Sequence, residues 1–499
     1  MNAREYDTDL RSIQEARDLA VAAREAQRSF HFAAQSDVDR ICQAMADAAY
    51  AASERLGAMA HEETSYGNPL HKKLKNQFAS RDVWESIKGI PTCGVLRRDE
   101  PNKVVEIGWP VGVIAALCPT TNPTSTAIFK ILIGVKARNA VVVAPHPSAV
   151  ACTAEAVRVM AEAGEAAGMP SGLVSCMTTV SLQGTHELME HYATSLILAT
   201  GGSGMVKAAH SVGKPALGVG PGNVPAYVDR SADVARAAAD IVGSKAFDCS
   251  TICSTEQTVV ADRPIAARLR AEMAANGAHW LNPSDADRLG SMMFRPNGVM
   301  DARFVGQTPQ RMGEIAGIDV PRSARVLVAD IAGVGPDFPL SREKLTPVLG
   351  FIEEDGWRAG CERSIELLKF GGDGHSLSIH AEDEEVILAF GIEKPAFRIL
   401  VNTWSSFGAI GGTTGLMPSM TLAPGGVGGA VVSDNITVHH VLNIKRLAYE
   451  VRRPPAEAMA GAGGGAARPT SPSGEAVDVD LVSAVVRRIL AESRAGVRE

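Results

Sequence analysis

Cys253 lies within Phe247-Asp248-Cys249-Ser250-Thr251-Ile252-Cys253-Ser254-Thr255-Glu256-Gln257. A thiolate is a strong nucleophile when backbone dipoles or a nearby helix start lower its pKa. Ser254 to Gln257 could begin such a turn. An alanine-rich helical run, Asp229 to Ala246, precedes the stretch, and a short apolar strand, Thr258 to Ala261, follows it. Cys253 therefore falls at a junction between elements, where reactive groups are commonly mounted. A buried structural thiol is the other role open to it. Cys249 and Cys253 form a close pair, but zinc needs two further ligands and no nearby Cys/His pair has the required spacing, so no metal is expected.

Two more segments could do chemistry. Cys118-Pro119-Thr120-Thr121-Asn122-Pro123-Thr124-Ser125-Thr126 separates the apolar run Val111 to Leu117 from a helical pattern, Ala127 to Arg138. After Ala199-Thr200, Gly201-Gly202-Ser203-Gly204 leads directly into a helix. Glycines let backbone amides approach a pyrophosphate, and a helix N-terminus favours its charge. Any tight strand-to-helix turn uses glycine, however, and the acidic residue about 20 positions on that completes the usual dinucleotide fingerprint is missing.

The elements that must position these groups alternate. Short apolar strands at Val113 to Leu117, Val141 to Val143, Ser195 to Leu198 and Ala226 to Val228 are separated by helical patterns over 124–138, 148–166 and 203–211. That alternation predicts a parallel sheet flanked by helices, the doubly wound nucleotide-binding architecture. Residues 230–425 alternate again and form a second α/β domain around Cys253. Before the first strands, 9–60 carries helical periodicity and Lys72 to Ile90 reads as an amphipathic helix. Between Gly94 and Gly112 the pattern is strand-like.

With 499 residues, the chain exceeds a single core of typical size. Its net charge of -7 argues against a nucleic-acid surface. No apolar run approaches the roughly 18 residues that span a bilayer, and the N-terminus is charged, so a protein without a secretory signal is expected. Eight scattered cysteines suggest a reducing cytosol.

Together, PTTNPTST and FDCSTICSTEQ resemble the CoA-acylating branch of the aldehyde dehydrogenase superfamily, over about residues 10 to 450. The resemblance implies an aldehyde dehydrogenase fold: a Rossmann-like cofactor domain over 1–93 and 112–229, an α/β catalytic domain over 230–430, and a hairpin with a closing segment over 94–111 and 431–453. In that family the hairpin packs across subunits, implying a homo-oligomer, dimer or tetramer. It further implies Cys253 as nucleophile, with the Asn122 amide and the Cys253 N–H as donors to the oxyanion. Otherwise Asn122 is a plain turn residue before proline.

NAD, with NADP as the alternative, is the implied cofactor. Thr200 to Gly204, Pro119, Thr120, Pro145 and His146 of the PHP pattern, and Glu343 in EKLTPV are the implied binding residues, the Glu343 carboxylate accepting from the nicotinamide ribose. A surface helix position is the other role for Glu343. His375, in GGDGHSLSIH, is implied to take the proton of the CoA thiol, or else to hydrogen-bond within its loop. Hydrolytic relatives draw a water-activating glutamate from the stretch equivalent to Ala216 to Asn223, and no carboxylate occurs from Lys214 through Val228. They also carry a lysine where Ala144 stands here. A CoA-acylating enzyme acting on a small aldehyde is therefore expected, against a hydrolytic dehydrogenase or a shell-binding protein without activity.

After Arg453 the composition turns to glycine, alanine, proline and serine, a linker over 454–476. Within 477–499, Leu481, Val482, Val485, Val486, Ile489 and Leu490 form one apolar stripe. This resembles the encapsulation peptides that dock enzymes to bacterial microcompartment shells. Docking on its own enzyme or on a membrane surface are the alternatives.

Overall fold

The nucleophile and the glycine-rich turn are mounted on two different parallel sheets. The structure, a computed structural model, describes residues 7–459. The chain divides into two units, Met1–Ala448 and Tyr449–Glu499. In the first unit, β1 (Gly94–Asp99) and β2 (Val104–Pro110) form an antiparallel hairpin, and the late strand Leu442–Ala448 pairs with β2.

The first parallel sheet holds β3 (Val113–Leu117), β4 (Ala140–Ala144), β5 (Val174–Cys176), β6 (Thr194–Thr200) and β7 (Ala216–Val219), in the order β5-β4-β3-β6-β7. β3 and β4 are buried along their whole length, so they read as continuous apolar runs. The order reverses between β3 and β6, which makes the carboxyl edge there a natural ligand crevice. Helix Pro123–Lys136, buried all round, follows β3. Its Lys130 Nζ donates to the carbonyls of Leu117, at 2.6 Å, and Leu198, at 2.8 Å, pinning the ends of β3 and β6 together.

The second parallel sheet holds β8 (Val224–Val228), β9 (Glu256–Asp262), β10 (Ala278–Trp280), β11 (Val326–Asp330), β12 (Val348–Glu354), β13 (Leu377–His380) and β14 (Ile399–Val401), in the order β10-β11-β12-β9-β8-β13-β14. Here the structure departs from the expected division of domains. β8, placed by the sequence in the cofactor domain, pairs with β9 and β13 of the second sheet. A fully buried parallel strand carries no face alternation, so its pattern cannot reveal which sheet it joins.

The helix expected over Lys72 to Ile90 starts earlier, at Pro69, where Asn68 Oδ1 caps the N–H groups of Leu70 and His71. It runs as Pro69–Gln77, a π turn Phe78–Asp82, and Val83–Ile87. Lys72 and Lys75, one turn apart, both point inward and are buried. The closing strand is β15 (Leu442–Ala448). In the second unit a short helix, Ala456–Met459, falls at the start of the expected linker. The remainder of that linker, and the whole expected encapsulation segment 477–499, lie outside the described residues.

Among the described residues no helix is long and apolar enough to cross a membrane. Among the same residues no group of three or more His, Cys, Asp or Glu converges as metal ligands would.

Candidate active site

Cys253 stands between a tight turn, Phe247–Ser250, and β9. In that turn Asp248, Cys249 and Ser250 all have left-handed backbones, with φ of 46°, 49° and 62°. None is glycine, so each conformation costs about 1–3 kcal/mol and persists only where neighbours over-determine it. Asp248 supplies the constraint. Its buried carboxylate accepts from the Asn68 N–H and the Thr251 hydroxyl, both at 2.7 Å, and pairs with Lys72 and Lys75. A Cβ on Gly67 would lie 2.1 Å from Asp248 Oδ1, so only glycine admits the carboxylate. Burial alone would raise the Asp248 pKa, but the two lysines and their hydrogen bonds hold it below its usual value.

No helix starts after Cys253. Cys253 and Ser254 form a turn, and Glu256 already begins β9. The expected lowering of the thiol pKa is likewise overturned: burial, reinforced by Glu343, pushes Cys253 up to about 12 against Arg398 and the N–H groups of Cys253 and Ser254. The resting group is a neutral thiol, which needs a base as it attacks.

His375 is the group that faces this thiol. Its Nε2 lies 3.3 Å from Cys253 Sγ, and Nδ1 lies 3.1 Å from Ser376 Oγ. Burial, with Arg398 nearby, drives the ring pKa down to about 3, so the imidazole is neutral. Ser376 Oγ also accepts from Arg398 Nε at 3.4 Å. Donation from Nδ1–H to Ser376 leaves the Nε2 lone pair facing the thiol, the arrangement of a general base.

Asn122 ends the loop after β3, immediately before helix Pro123–Lys136. Its Oδ1 accepts from Lys75, and its Nδ2 donates to the Thr251 carbonyl at 2.9 Å and Thr121 Oγ1 at 3.2 Å. The fold thus brings Asn122 onto the Cys253 loop.

The candidate cofactor residues gather at the carboxyl edge of the first sheet. Pro119 and Thr120 follow β3, Pro145 and His146 follow β4, and Thr200 to Gly204 join β6 to helix Ser203–Ser211. A Cβ at Gly202 or Gly204 would meet nothing, and one at Gly201 only Met205. The helix N-terminus is therefore open to a close-approaching anion, which fits a pyrophosphate. Glu343 comes from the second sheet's side and accepts from the Gly222 N–H at 2.9 Å. Burial raises its carboxyl to about 7, against that N–H, Lys245 and Lys344.

Comparison with known proteins matches residues 9–293 to the model of the aldehyde dehydrogenase family. This chain belongs to that family. Aldehyde-alcohol dehydrogenase 2 of Entamoeba histolytica is 40% identical over 423 residues, which cover 83% of this chain and 49% of that protein. The chain thus spans about half the length of the curated relatives it matches first. The crystal structure of an acetylating aldehyde dehydrogenase from Geobacillus thermoglucosidasius superposes with a TM-score of 0.89 at 50% identity, over 90% of this chain and 100% of that one. A propionaldehyde dehydrogenase from the Clostridium phytofermentans fucose utilisation bacterial microcompartment is 27% identical, with a TM-score of 0.78 over 86% of this chain and 96% of that one.

In this chain the stretch without carboxylates packs against the Cys253 loop. A Cβ on Gly222 would lie 2.4 Å from the Cys253 carbonyl and 3.0 Å from the His375 ring. The sequence reading missed Lys72, Lys75, Asp248 and Arg398. The only sequence signal for the lysines is their spacing of one helical turn; for Asp248 it is adjacency to the Cys249/Cys253 pair.

Because the thiol is protonated at rest, its alkylation by iodoacetamide is expected to accelerate steadily between pH 7 and 10, without the plateau that an ordinary thiol reaches near 9. Stopped-time alkylation followed by peptide mass mapping of Cys253 checks this; a plateau anywhere below pH 10 contradicts it.

Proposed function

We propose that the protein oxidises a small aldehyde to an acyl-CoA with NAD, through a thioester on Cys253. The observation that carries this reading is the Cys253/His375 pair with Gly222, rather than a carboxylate, pressed against it. Bound at the carboxyl edge of the first sheet, against Thr200 to Gly204, Pro119, Thr120, Pro145, His146 and Glu343, a nicotinamide dinucleotide would supply the hydride acceptor.

The chain's own residues do the rest. As Cys253 Sγ bonds to the aldehyde carbon, His375 Nε2 takes the thiol proton. The carbonyl oxygen becomes an alkoxide, for which the Asn122 amide, giving up its bond to Thr121 Oγ1, and the Cys253 N–H would be the donors. Loss of hydride from the same carbon re-forms the carbonyl as a thioester. Without a carboxylate between Lys214 and Val228, that stretch offers no base to activate water, and the thioester persists. Once His375 has passed the first proton to solvent, the CoA thiol gives its proton to His375 and attacks the thioester carbon, and Cys253 leaves, its sulfur taking that proton back from His375. The likeness to an acetylating relative supports this partition.

Further proposals rest on the wider resemblance. The hairpin sheet leaves Ile444 and Leu447 of β15 exposed, and a second copy of the chain would cover them in a homo-oligomer. The likeness to a microcompartment enzyme, joined to the apolar stripe within 477–499, supports encapsulation as shell cargo.

NADH formation from propionaldehyde and NAD is expected to require both CoA and Cys253, and to vanish in Cys253→Ala. Steady turnover without CoA, yielding free acid, would favour the hydrolytic alternative. Deleting 477–499 is expected to leave turnover unchanged and abolish co-purification with shell proteins; retained co-purification rejects the cargo role.

A further inference from the structure

Helix Pro69–Gln77 holds two buried lysines whose work is not exhausted by the nucleophile turn. Lys72 Nζ donates to the Thr121 carbonyl at 3.1 Å as well as pairing with Asp248 at 3.4 Å. Lys75 Nζ reaches the Asn122 Oδ1, Asp248 Oδ2 and, at 3.3 Å, Thr251 Oγ1. Each lysine therefore touches both loops that carry the reaction, the one after β3 and the one before Cys253. Their side chains are 2% and 3% exposed, so water does not compete for these contacts.

An amide presents an acceptor and a donor edge that are similar in shape, and an ammonium only donates. Lys75 accordingly decides which way Asn122 faces: Oδ1 to the ammonium, N–H₂ toward the Thr251 carbonyl and the Cys253 loop. A cation on the oxygen also draws density from the amide nitrogen and makes its N–H a better donor.

We infer that Lys75 is a positioning residue for the oxyanion step: it orients and polarises the Asn122 amide and, through Asp248, locks that amide in register with Cys253. The inference rests on the proposed role of Asn122. It extends that role to a helix that carries none of the candidate site residues.

The arrangement predicts a pH dependence with a definite sign. The charged groups facing Lys75 are Asp248, Lys72, His71 and Cys249. Burial lowers Lys75 to about 8, against the raising pull of Asp248. His71 is held below its usual value by burial, and its Nδ1 accepts from the Asp248 N–H at 2.8 Å. Burial pushes the Cys249 thiol up to about 12, so it stays neutral. Lys75 works only as the ammonium, so acylation should fail as pH rises through about 8.

The test measures the NADH burst, the rate of Cys253 acylation without CoA, in wild type, Lys75→Met, Lys75→Arg, Asn122→Ala and the double variant Lys75→Met/Asn122→Ala. Removing one oxyanion donor slows turnover about a hundredfold or more. Asn122→Ala and Lys75→Met are each expected to slow the burst on that scale, with the aldehyde concentration for half-maximal rate little changed. The double variant should be no slower than Asn122→Ala alone. In Lys75→Arg, whose guanidinium stays charged, the alkaline fall should move upward.

Multiplying effects in the double variant, beside a slow Asn122→Ala, overturn the role of Lys75 and leave that of Asn122 standing. A fast Asn122→Ala overturns both, while the CoA requirement of the wild type still reports on the overall activity. Should circular dichroism show Lys75→Met unfolded, the Lys75→Arg profile decides, and an unmoved alkaline limb contradicts the inference.

Discussion

The buried Asp248 carboxylate, clamped between Lys72 and Lys75, is the interaction on which the site depends. Three consecutive non-glycine residues in left-handed conformation form a turn that the chain would not adopt by itself. Removing one partner of a buried, paired carboxylate leaves an uncompensated charge and typically costs about 3–5 kcal/mol. The strained turn and its restraint are therefore one unit. It fixes the backbone immediately ahead of Cys253.

Around this clamp the two parallel sheets contribute different chemistry. The first sheet opens its carboxyl edge between β3 and β6, where Lys130 ties two strand ends and the glycines leave a helix N-terminus bare. The second sheet brings Cys253 before β9 and His375 before β13, with Glu343 in the approach to β12. Gly222, in the crossing between the sheets, has room only because it lacks a side chain. The stretch equivalent to the one from which hydrolytic relatives draw their base is thus close-packed at Gly222 and empty of carboxylates. A neutral thiol beside a neutral imidazole also avoids burying a thiolate–imidazolium ion pair before substrate arrives.

Much of this was legible in the sequence, for physical reasons. β3 and β4 are buried on both faces and announce themselves as unbroken apolar runs. β5, three residues with a central serine, and β7, Ala-Leu-Gly-Val, are too short and too small to stand out. Cys253 and Asn122 were visible through motif type and order. The pairing of His375 with Cys253 spans 122 positions, and that of Lys75 with Asp248 spans 173, distances over which spacing carries no information. Lysines on an amphipathic helix read as solvent-facing, and only the tertiary fold shows that these two face inward. The thiol's raised pKa likewise follows from burial, which no local pattern reports.

The central claim is that the acyl group rests on Cys253 until a thiol removes it. Rapid-quench mass spectrometry of the protein mixed with NAD and propionaldehyde, with CoA withheld, addresses it directly. The account predicts one propionyl group per chain, located on the Cys253 peptide, stable in buffer and discharged as propionyl-CoA when CoA is added. An unmodified Cys253 accompanied by continuing NADH formation and accumulating propionate would contradict it.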